Sequence, residues 1–295
     1  MITMHTDIIA TGLVFPEGPR WHKNKLWFSD AHDHKVKSCD LDGNVELVVA
    51  LTPPFKPSGL GFLPDGRLLI VATPDKLMRL DPDGLVEVAD LSALSPYGFN
   101  DMVVDKNGNA YIGGLGFNVY DASAKPQMAP IVLVTPSGET RIVAEDMGFP
   151  NGCVVSEDGK TLIIGETLSS RYTAFDIQGD GSLSNRRVWA QFDERGFTRK
   201  DRNKRIAPDG CCMDEKGGIW IASPGIDEVV RSLEGGEITH RIKPSRTPFA
   251  CILGGPERKD LFIATGNSHH PTESVALKSG CIERVSVDIA GAGIP

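Results

Sequence analysis

The chain has 295 residues, of which 40% are hydrophobic, and it is long enough to bury one large core or two ordinary ones. Its 39 acidic residues outnumber its 31 basic residues. The resulting net charge of −8 argues against a nucleic-acid partner, because a phosphate backbone calls for a basic surface. No apolar run approaches the ~20 residues that cross a bilayer and no signal peptide is visible, so we expect a cytoplasmic protein without a membrane partner.

The first recognisable element is a three-residue phrase, Pro16-Glu17-Gly18, which recurs in related form along the chain. The central residues of successive copies lie 41, 42, 51, 58 and 41 positions apart, and an apolar run follows each copy. A repeat near 40 residues, with several short strands in each unit, is the signature of a β-propeller. The five later copies are Pro57-Ser58-Gly59, Phe99-Asn100-Asp101, Pro150-Asn151-Gly152, Pro208-Asp209-Gly210 and Phe249-Ala250-Cys251.

Turn residues divide the units into hairpins. Asn107-Gly108 separates two apolar runs in the first hairpin of its unit, and Ser137-Gly138 marks the second hairpin. Two hairpins make a four-stranded blade, and six copies of the phrase make six blades. We therefore predict an all-β fold in which residues 1–295 form a single six-bladed β-propeller domain. The ring closes where an extra N-terminal strand, at about 8–15, pairs with C-terminal strands near 281–288, which removes open sheet edges.

Two units are longer than the others. The third unit has extra length around 113–130, and the fourth ends in a basic segment, 195–205, directly before the phrase that contains Asp209. Long excursions from a compact repeat are usually functional or mobile. The basic segment could therefore form a rim or lid over the central channel, or it could be a solvated surface.

Four of the six central residues carry side-chain oxygens that bind metals: Glu17, Asn100, Asn151 and Asp209. Because equivalent positions in radially arranged blades converge on one axis, we expect these four to form a central cation site. Their all-oxygen donor set favours Ca²⁺, Mg²⁺ or Mn²⁺, and leaves Zn²⁺ and Fe²⁺ open. Two carboxylates balance one divalent ion and leave positions for water or substrate. The alternative is that all four are ordinary turn residues, since Asp and Asn are common in turns.

The phrases themselves resemble a known family. Phe15-Pro16-Glu17-Gly18-Pro19-Arg20-Trp21 and the copies around Asn100, Asn151 and Asp209 are similar to the senescence marker protein (regucalcin)/gluconolactonase family, from about residue 12 to residue 266. The resemblance implies a six-bladed propeller whose axial divalent metal, Ca²⁺ first, is held by Glu17, Asn151 and Asp209, with Asn100 as a ligand or substrate contact. It also implies a lactonase, since family members typically hydrolyse sugar-acid or other lactones.

The mechanism that we expect is attack by a metal-activated water. A bound cation polarises the lactone carbonyl and lowers the pKa of a coordinated water, and amide donors help to stabilise the oxyanion. Asp209 is the candidate to orient or deprotonate that water, or it acts only as a ligand. Asn100 is the second catalytic candidate, because it would hold a substrate oxygen or the outer shell of the metal.

The chain departs from the family pattern where substrate would bind. Gly98 stands where regucalcin-like members carry an arginine, and Asn118 stands where an acidic residue is expected. Both replaced groups would contact sugar hydroxyls in the family. Their loss, with Tyr97 and Phe117 nearby, predicts a less polar or aromatic lactone rather than a simple sugar lactone. We expect Tyr97, Gly98, Asn100, Phe117 and Asn118 to contact the substrate.

Two rival functions stay open. An organophosphate or other ester hydrolase could use the same site, as in the related diisopropyl fluorophosphatase. A non-catalytic propeller could bind its ion structurally, although a structural Ca²⁺ site is more often saturated by six to eight ligands. Two histidine-containing segments are assigned to other roles: His32-Asp33-His34 to a surface turn, and His269-His270 to a polar loop.

Overall fold

The structure is a computed structural model that describes residues 5–199 and 204–295. Six antiparallel sheets form the blades of a β-propeller, which confirms the fold predicted from the repeats. The innermost strands of neighbouring blades contact one another in a closed cycle, so the six blades surround one axis.

The first three blades follow one another along the chain, each with its innermost strand first. Blade 1 contains β2 (Pro16–His22), β3 (Lys25–Asp30), β4 (Lys35–Cys39) and β5 (Val45–Ala50). Blade 2 contains β6 (Lys56–Phe62), β7 (Leu68–Thr73), β8 (Lys76–Asp81) and β9 (Gly84–Asp90). Blade 3 contains β10 (Phe99–Val104), β11 (Ala110–Gly114), β12 (Ala129–Val134) and β13 (Thr140–Met147).

The other three blades continue the pattern with two additions from the chain ends. Blade 4 contains β14 (Pro150–Val155), β15 (Thr161–Glu166), β16 (Arg171–Ile177) and β17 (Leu183–Gln191). Blade 5 contains β18 (Cys211–Asp214), β19 (Ile219–Ser223), β20 (Glu228–Ser232), β21 (Ile238–Ile242) and the short β25 (Gly291–Ala292). Blade 6 contains β22 (Thr247–Gly254), β23 (Asp260–Gly266), β24 (Gly280–Ser286) and, as its outermost strand, β1 (Asp7–Leu13).

The second strand of each blade forms much of the core. In β11 and β19 every residue is buried, because these strands lie between the faces of neighbouring blades. The outermost strands β5 and β9 are mostly exposed or half-buried, even though most of the residues of β5 are apolar. This burial pattern explains why the apolar runs after each phrase were the clearest strand signal in the sequence.

The N-terminal strand closes the ring. β1 pairs with β24 in antiparallel register, with Asp7 opposite Arg284 and Leu13 opposite Gly280. Blade 6 is therefore assembled from both ends of the chain, and the outer edge of β24 is covered.

The last strand covers the opposite end of the channel from the phrases. β25 pairs with the end of β18, with Ala292 opposite Met213. Two residues further, Ile294 forms a two-way backbone bridge with Val155 at the end of β14, with N···O distances of 2.7 and 3.0 Å. The segment 290–295 thus joins the inner strands of blades 4 and 5.

A short helix, α1 (Pro271–Leu277), follows β23 and was not predicted. Pro271 lies in its first turn, where the missing N–H costs nothing, and seven residues are too few for an apolar period to show. Within the described ranges, no helix has the length and apolar character to cross a membrane. All six cysteines are buried as free thiols.

Candidate metal and substrate site

The four polar central residues converge as the repeat predicts. Glu17 lies in β2, Asn100 in β10, Asn151 in β14, and Asp209 directly before β18. All four line one cavity of about 570 Å³ at the end of the innermost strands where the phrases occur. The same cavity receives residues from all six blades, so it lies on the propeller axis.

Glycines in the phrases let the innermost strands approach closely. A Cβ atom on Gly152 would lie 2.3 Å from the carbonyl oxygen of Asp209, and one on Gly210 would lie 2.4 Å from the Cβ of Ala250. Such contacts are too short for a side chain, so glycine is required after the central residue in both copies. The close approach brings the central side chains of neighbouring blades together.

The amide side chains are held in a row by hydrogen bonds. Ser58 Oγ donates to Asn100 Oδ1 at 3.3 Å, and Asn100 Nδ2 donates to Asn151 Oδ1 at 3.1 Å. Asn151 Nδ2 in turn donates to Thr167 Oγ1 at 3.2 Å, and the Thr167 hydroxyl donates to the Pro208 carbonyl at 2.6 Å. This network orients both amides and ends at the residue before Asp209.

The surroundings of Glu17 destabilise its negative charge. Burial raises the pKa of Glu17 well above its usual value, and the nearby negative charges of Asp209 and Asp101 raise it further. The Gly18 N–H donates to Glu17 Oε2 at 3.0 Å and offsets only part of this effect. Arg20 lowers the pKa too, but its guanidinium is bonded to Asp101 Oδ1 at 3.1 Å. A buried acid beside like charges is the arrangement that a bound cation stabilises.

The donor set fits a hard divalent cation. Among the residues described, no three His, Cys, Asp or Glu side chains are grouped so that they could hold a metal ion by themselves. The axial set instead combines the carboxylates of Glu17 and Asp209 with the amides of Asn100 and Asn151. Oxygen donors of these two kinds are what Ca²⁺ and Mg²⁺ prefer.

The structure brings some of the predicted substrate contacts to the cavity and not others. Tyr97, Asn100 and Asn118 line it. Gly98 lies behind this wall with a positive φ of 97°, and an added Cβ would lie 2.9 Å from the Pro74 carbonyl oxygen. Phe117 is 4% exposed and does not line the cavity. We attribute its position to packing, because its ring lies 6.1 Å from that of Phe149.

The cavity wall is rich in aromatic rings. Several of them belong to the phrases or adjoin them, since Phe15 precedes the first phrase and Phe249 begins the last. These two rings lie 5.0 Å apart in an edge-to-face arrangement. The aromatic residues that line the cavity are Phe15, Tyr97, Phe99, Tyr120, Phe149 and Phe249.

His32, Lys56 and Tyr120 line the cavity, although no prediction from the sequence placed them there. The assignment of His32 to a surface turn was wrong, since it lies in a buried 3-10 turn and is only 6% exposed. The signal was the hairpin register, because Pro16 pairs with Asp30 and so brings the residues after β3 level with Glu17. His269, assigned to a polar loop, also lines the cavity.

The basic segment 195–205 contains residues 200–203, which lie outside the described residues. In the described part, Arg199 lies 5.3 Å from the Phe117 ring and donates to the carbonyls of Asp121 and Ala124 at 3.2 Å. Arg205 donates to the Leu168 carbonyl at 2.8 Å. These contacts join the excursion of blade 4 to that of blade 3.

Comparisons with known proteins agree with this geometry. A sequence model of the SMP-30/Gluconolactonase/LRE-like region matches residues 15–267 of the chain, a span that contains all four axial residues. Regucalcin of Danio rerio is 26% identical over 218 residues, which cover 72% of this chain and 69% of that protein. Diisopropyl-fluorophosphatase of Loligo vulgaris is 27% identical over 282 residues, which cover 84% of each chain.

A solved structure supports the fold. The calcium-binding protein regucalcin from Agrobacterium tumefaciens superposes with a TM-score of 0.78 at 19% identity, and the match covers 100% of this chain and 99% of that chain. The agreement extends over the whole propeller, so both chains share the six-bladed architecture.

Proposed function

The chain belongs to the SMP-30/Gluconolactonase/LRE-like family, as its motifs predicted, and on that premise we propose that it is a metal-dependent hydrolase that opens a lactone. The observation that carries the proposal is the convergence of two carboxylates and two amides on one axial cavity. The cavity has room for a small molecule as well as a cation. Four axial side chains offer oxygen donors to the ion, whereas a structural Ca²⁺ site is more often saturated by six to eight ligands.

The metal ligands in this proposal are Glu17, Asn151 and Asp209, with Asn100 as a fourth ligand or a substrate contact. Ca²⁺ is the first candidate, because the donors are hard oxygens and a relative of the same fold is described as calcium-binding. Mg²⁺, Mn²⁺, Zn²⁺ and Fe²⁺ are the other ions to test. The raised pKa of Glu17 supports a cation here, since a positive charge would stabilise its ionised form.

Each group at the site has a separate role in the proposed hydrolysis. A bound cation would polarise the ester carbonyl and acidify a water. Asp209 orients that water and accepts its proton. Asn100 uses its second amide N–H to hold a substrate oxygen, because its first is directed to Asn151. The aromatic wall keeps bulk water from the reacting carbonyl, which strengthens each of these polar contacts.

The substrate in this proposal is a lactone with an aromatic or alkyl body. Several aromatic rings line the cavity, while Tyr97 and Asn118 supply polar contacts on the blade 3 side. Phe117 and Gly98 act behind the wall, where they shape the loop that carries Asn118. We expect the enzyme to work in the cytoplasm on a small molecule, without a nucleic-acid or membrane partner.

An organophosphate or other ester hydrolase is the second candidate. It is favoured by the 27% identity with diisopropyl-fluorophosphatase over 84% of each chain. Both reactions use a polarised oxygen and an activated water, so the same four axial residues serve either one.

The test is hydrolysis by metal-stripped protein as Ca²⁺, Mg²⁺, Mn²⁺, Zn²⁺ and Fe²⁺ are added back, across aryl, alkyl and sugar lactones and an organophosphate. We expect activity on an aryl or alkyl lactone to return with one metal and to vanish in Asp209→Ala. A strong preference for gluconolactone would contradict the substrate class. Tight metal binding without turnover of any substrate would point to a non-catalytic propeller.

A further inference from the structure

One cationic side chain in the cavity has no counter-charge. Lys56 begins β6, is half-buried and lines the cavity. Burial lowers the pKa of its ammonium group, and no carboxylate in the described part of the chain compensates. The nearby lysines of blade 1 differ, since Lys35 pairs with Asp33 at 3.1 Å and Lys37 pairs with Asp30 at 2.6 Å. A buried charge without a partner is costly unless a ligand supplies one.

An aromatic ring fixes the place of this charge. The Lys56 ammonium lies 5.3 Å from the centre of the Tyr120 ring, a cation–π distance. Partial burial, with the charge of Glu17, raises the pKa of the Tyr120 hydroxyl to about 12. The ring therefore stays neutral at physiological pH and leaves the positive charge of Lys56 uncompensated.

A second polar group in the cavity has one ring nitrogen without a hydrogen bond among the described residues. His32 is 6% exposed and lines the cavity, and its Nδ1 atom makes no hydrogen bond within the described residues. The other ring nitrogen, Nε2, lies 3.1 Å from the His269 carbonyl oxygen, which assigns the proton of the neutral ring to Nε2. Both groups lie near the Tyr120 ring, since the His32 ring centroid is 6.0 Å from its centre and the Lys56 ammonium is 5.3 Å from it.

We propose that Lys56 and His32 form a subsite for a carboxylate group on the substrate, so that the lactone carries both an apolar body and one negative charge. The inference rests on the proposed function and names its substrate more closely. One ammonium group matches one carboxylate, whereas a phosphate dianion calls for more positive charge. The rings of Phe15 and Tyr120 beside the subsite accommodate the apolar body, and His32 stacks on Phe15 at 4.8 Å.

The role of His32 follows from its burial and from the charges that surround it. Burial is the largest cause of its lowered pKa, and the charges of Lys56, His269 and His34 lower that pKa further. A carboxylate paired with Lys56 would offset the largest of these charges and place an acceptor beside Nδ1. His32 then gains a proton at Nδ1 and donates to the second carboxylate oxygen, so that both oxygens are bound.

The experiment compares two aryl lactones that differ in one substituent, a carboxylate or the neutral carboxamide of the same shape. A charge-assisted hydrogen bond contributes about 1.5–3 kcal/mol, which corresponds to a preference of about 10- to 100-fold in kcat/KM for the acid. Lys56→Met should bring this ratio close to one, and Lys56→Arg should keep it within about threefold. His32→Gln, which keeps a donor toward the His269 carbonyl, should lower the ratio several-fold.

A binding assay separates this proposal from the proposed function. The corresponding lactams resist hydrolysis, so their affinity is measured by calorimetry whether or not the protein is a lactonase. Acid preference in lactam binding that disappears in Lys56→Met supports the subsite even if no lactone is hydrolysed. Equal affinity for acid and amide, a preference unchanged in Lys56→Met, or no lactam binding would overturn it. Hydrolysis without acid preference would overturn the subsite alone.

Discussion

Two aspartates at opposite ends of one inner strand have opposite surroundings. Asp209 lies directly before β18, where its charge helps to raise the pKa of Glu17. Asp214 ends the same strand and pairs with Arg231 through two contacts, Nε to Oδ2 at 2.5 Å and Nη2 to Oδ1 at 3.0 Å. Trp220 Nε1 donates to Asp214 Oδ2 as well, at 3.0 Å.

The difference separates a carboxylate that stabilises the fold from one that we propose takes part in catalysis. At Asp214 every lone pair faces a donor, so the charge is stable without any ligand. At the other end, Glu17 and Asp209 bring two negative charges together in a partly dry cavity, an arrangement that favours uptake of a cation. Residue type alone would not distinguish the two aspartates, whereas Asp214 is buried against a guanidinium and Asp209 is half-buried near the charge of Glu17.

The largest expected effect is on catalysis, when Glu17 of the axial site is changed. Glu17→Gln should lower kcat/KM on the best lactone by about 10⁴-fold, because it removes a metal ligand and half of the negative charge. The unfolding temperature should stay equal or rise, since a like-charge contact is relieved. Steady-state kinetics and thermal unfolding check both. Glu139→Gln, at an exposed carboxylate, is the control, and near-normal activity in Glu17→Gln would place the site elsewhere.

The next largest effect is on stability, when Asp214 at the end of β18 is changed. Asp214→Asn should lower the free energy of unfolding by about 3–5 kcal/mol, because the buried guanidinium of Arg231 loses its counter-charge. Activity per folded molecule should not change. Denaturant unfolding measures the loss, and the double variant with Arg231→Met should recover part of it. A loss below about 1 kcal/mol would mean that the pair is not structural.

A smaller effect is expected on the pH dependence of stability, through His32 in the cavity wall. Burial lowers the pKa of His32 from 6.5 to about 4. The unfolded chain therefore binds more protons between these pH values, and stability falls as the pH drops from about 6.5 to about 4. The loss is about 3 kcal/mol at the low end and is absent above about 6.5. Unfolding measured across this range should be flatter in His32→Gln, and identical curves for both proteins would contradict the assignment.

The smallest effect concerns the segment that joins β14 and β18. Ile294 packs beside the core of blade 4 and bridges Val155. Ile294→Ala should cost about 1 kcal/mol of stability, since the side chain is only half-buried, and should leave kcat/KM unchanged. Chemical unfolding with parallel kinetics measures both. Lost activity at normal stability would show that the two ends of the channel are coupled.

The sequence predicted most of the fold and the axial cluster because both follow from the repeat. The position of Glu17, Asn100, Asn151 and Asp209 in each unit determined that they would meet. The walls of the cavity could not be predicted in this way. Lys56 and His32 lie outside the phrases, and their meeting depends on hairpin register and on the packing of blade 1 against blade 2.

Other parts of the chain carried too little pattern to be predicted. α1 is too short for an apolar period, and β25 has two residues whose pairing depends on where the chain end crosses the axis. The placement of Gly98 and Phe117 behind the wall also depended on packing, because Gly98 abuts Pro74. Repeated positions were predictable from sequence, and positions that occur once were not.

The pairing of β1 with β24 has a consequence for how the chain folds. Asp7 pairs with Arg284 across nearly the whole length of the chain, so ring closure requires an encounter between distant parts of the sequence. Such non-local contacts slow folding, because the entropy of a long loop is lost before the contact is gained. Until then the edge of β24 stays unpaired and open to other chains. A newly made chain is therefore most prone to associate with its neighbours in the interval before its two ends meet.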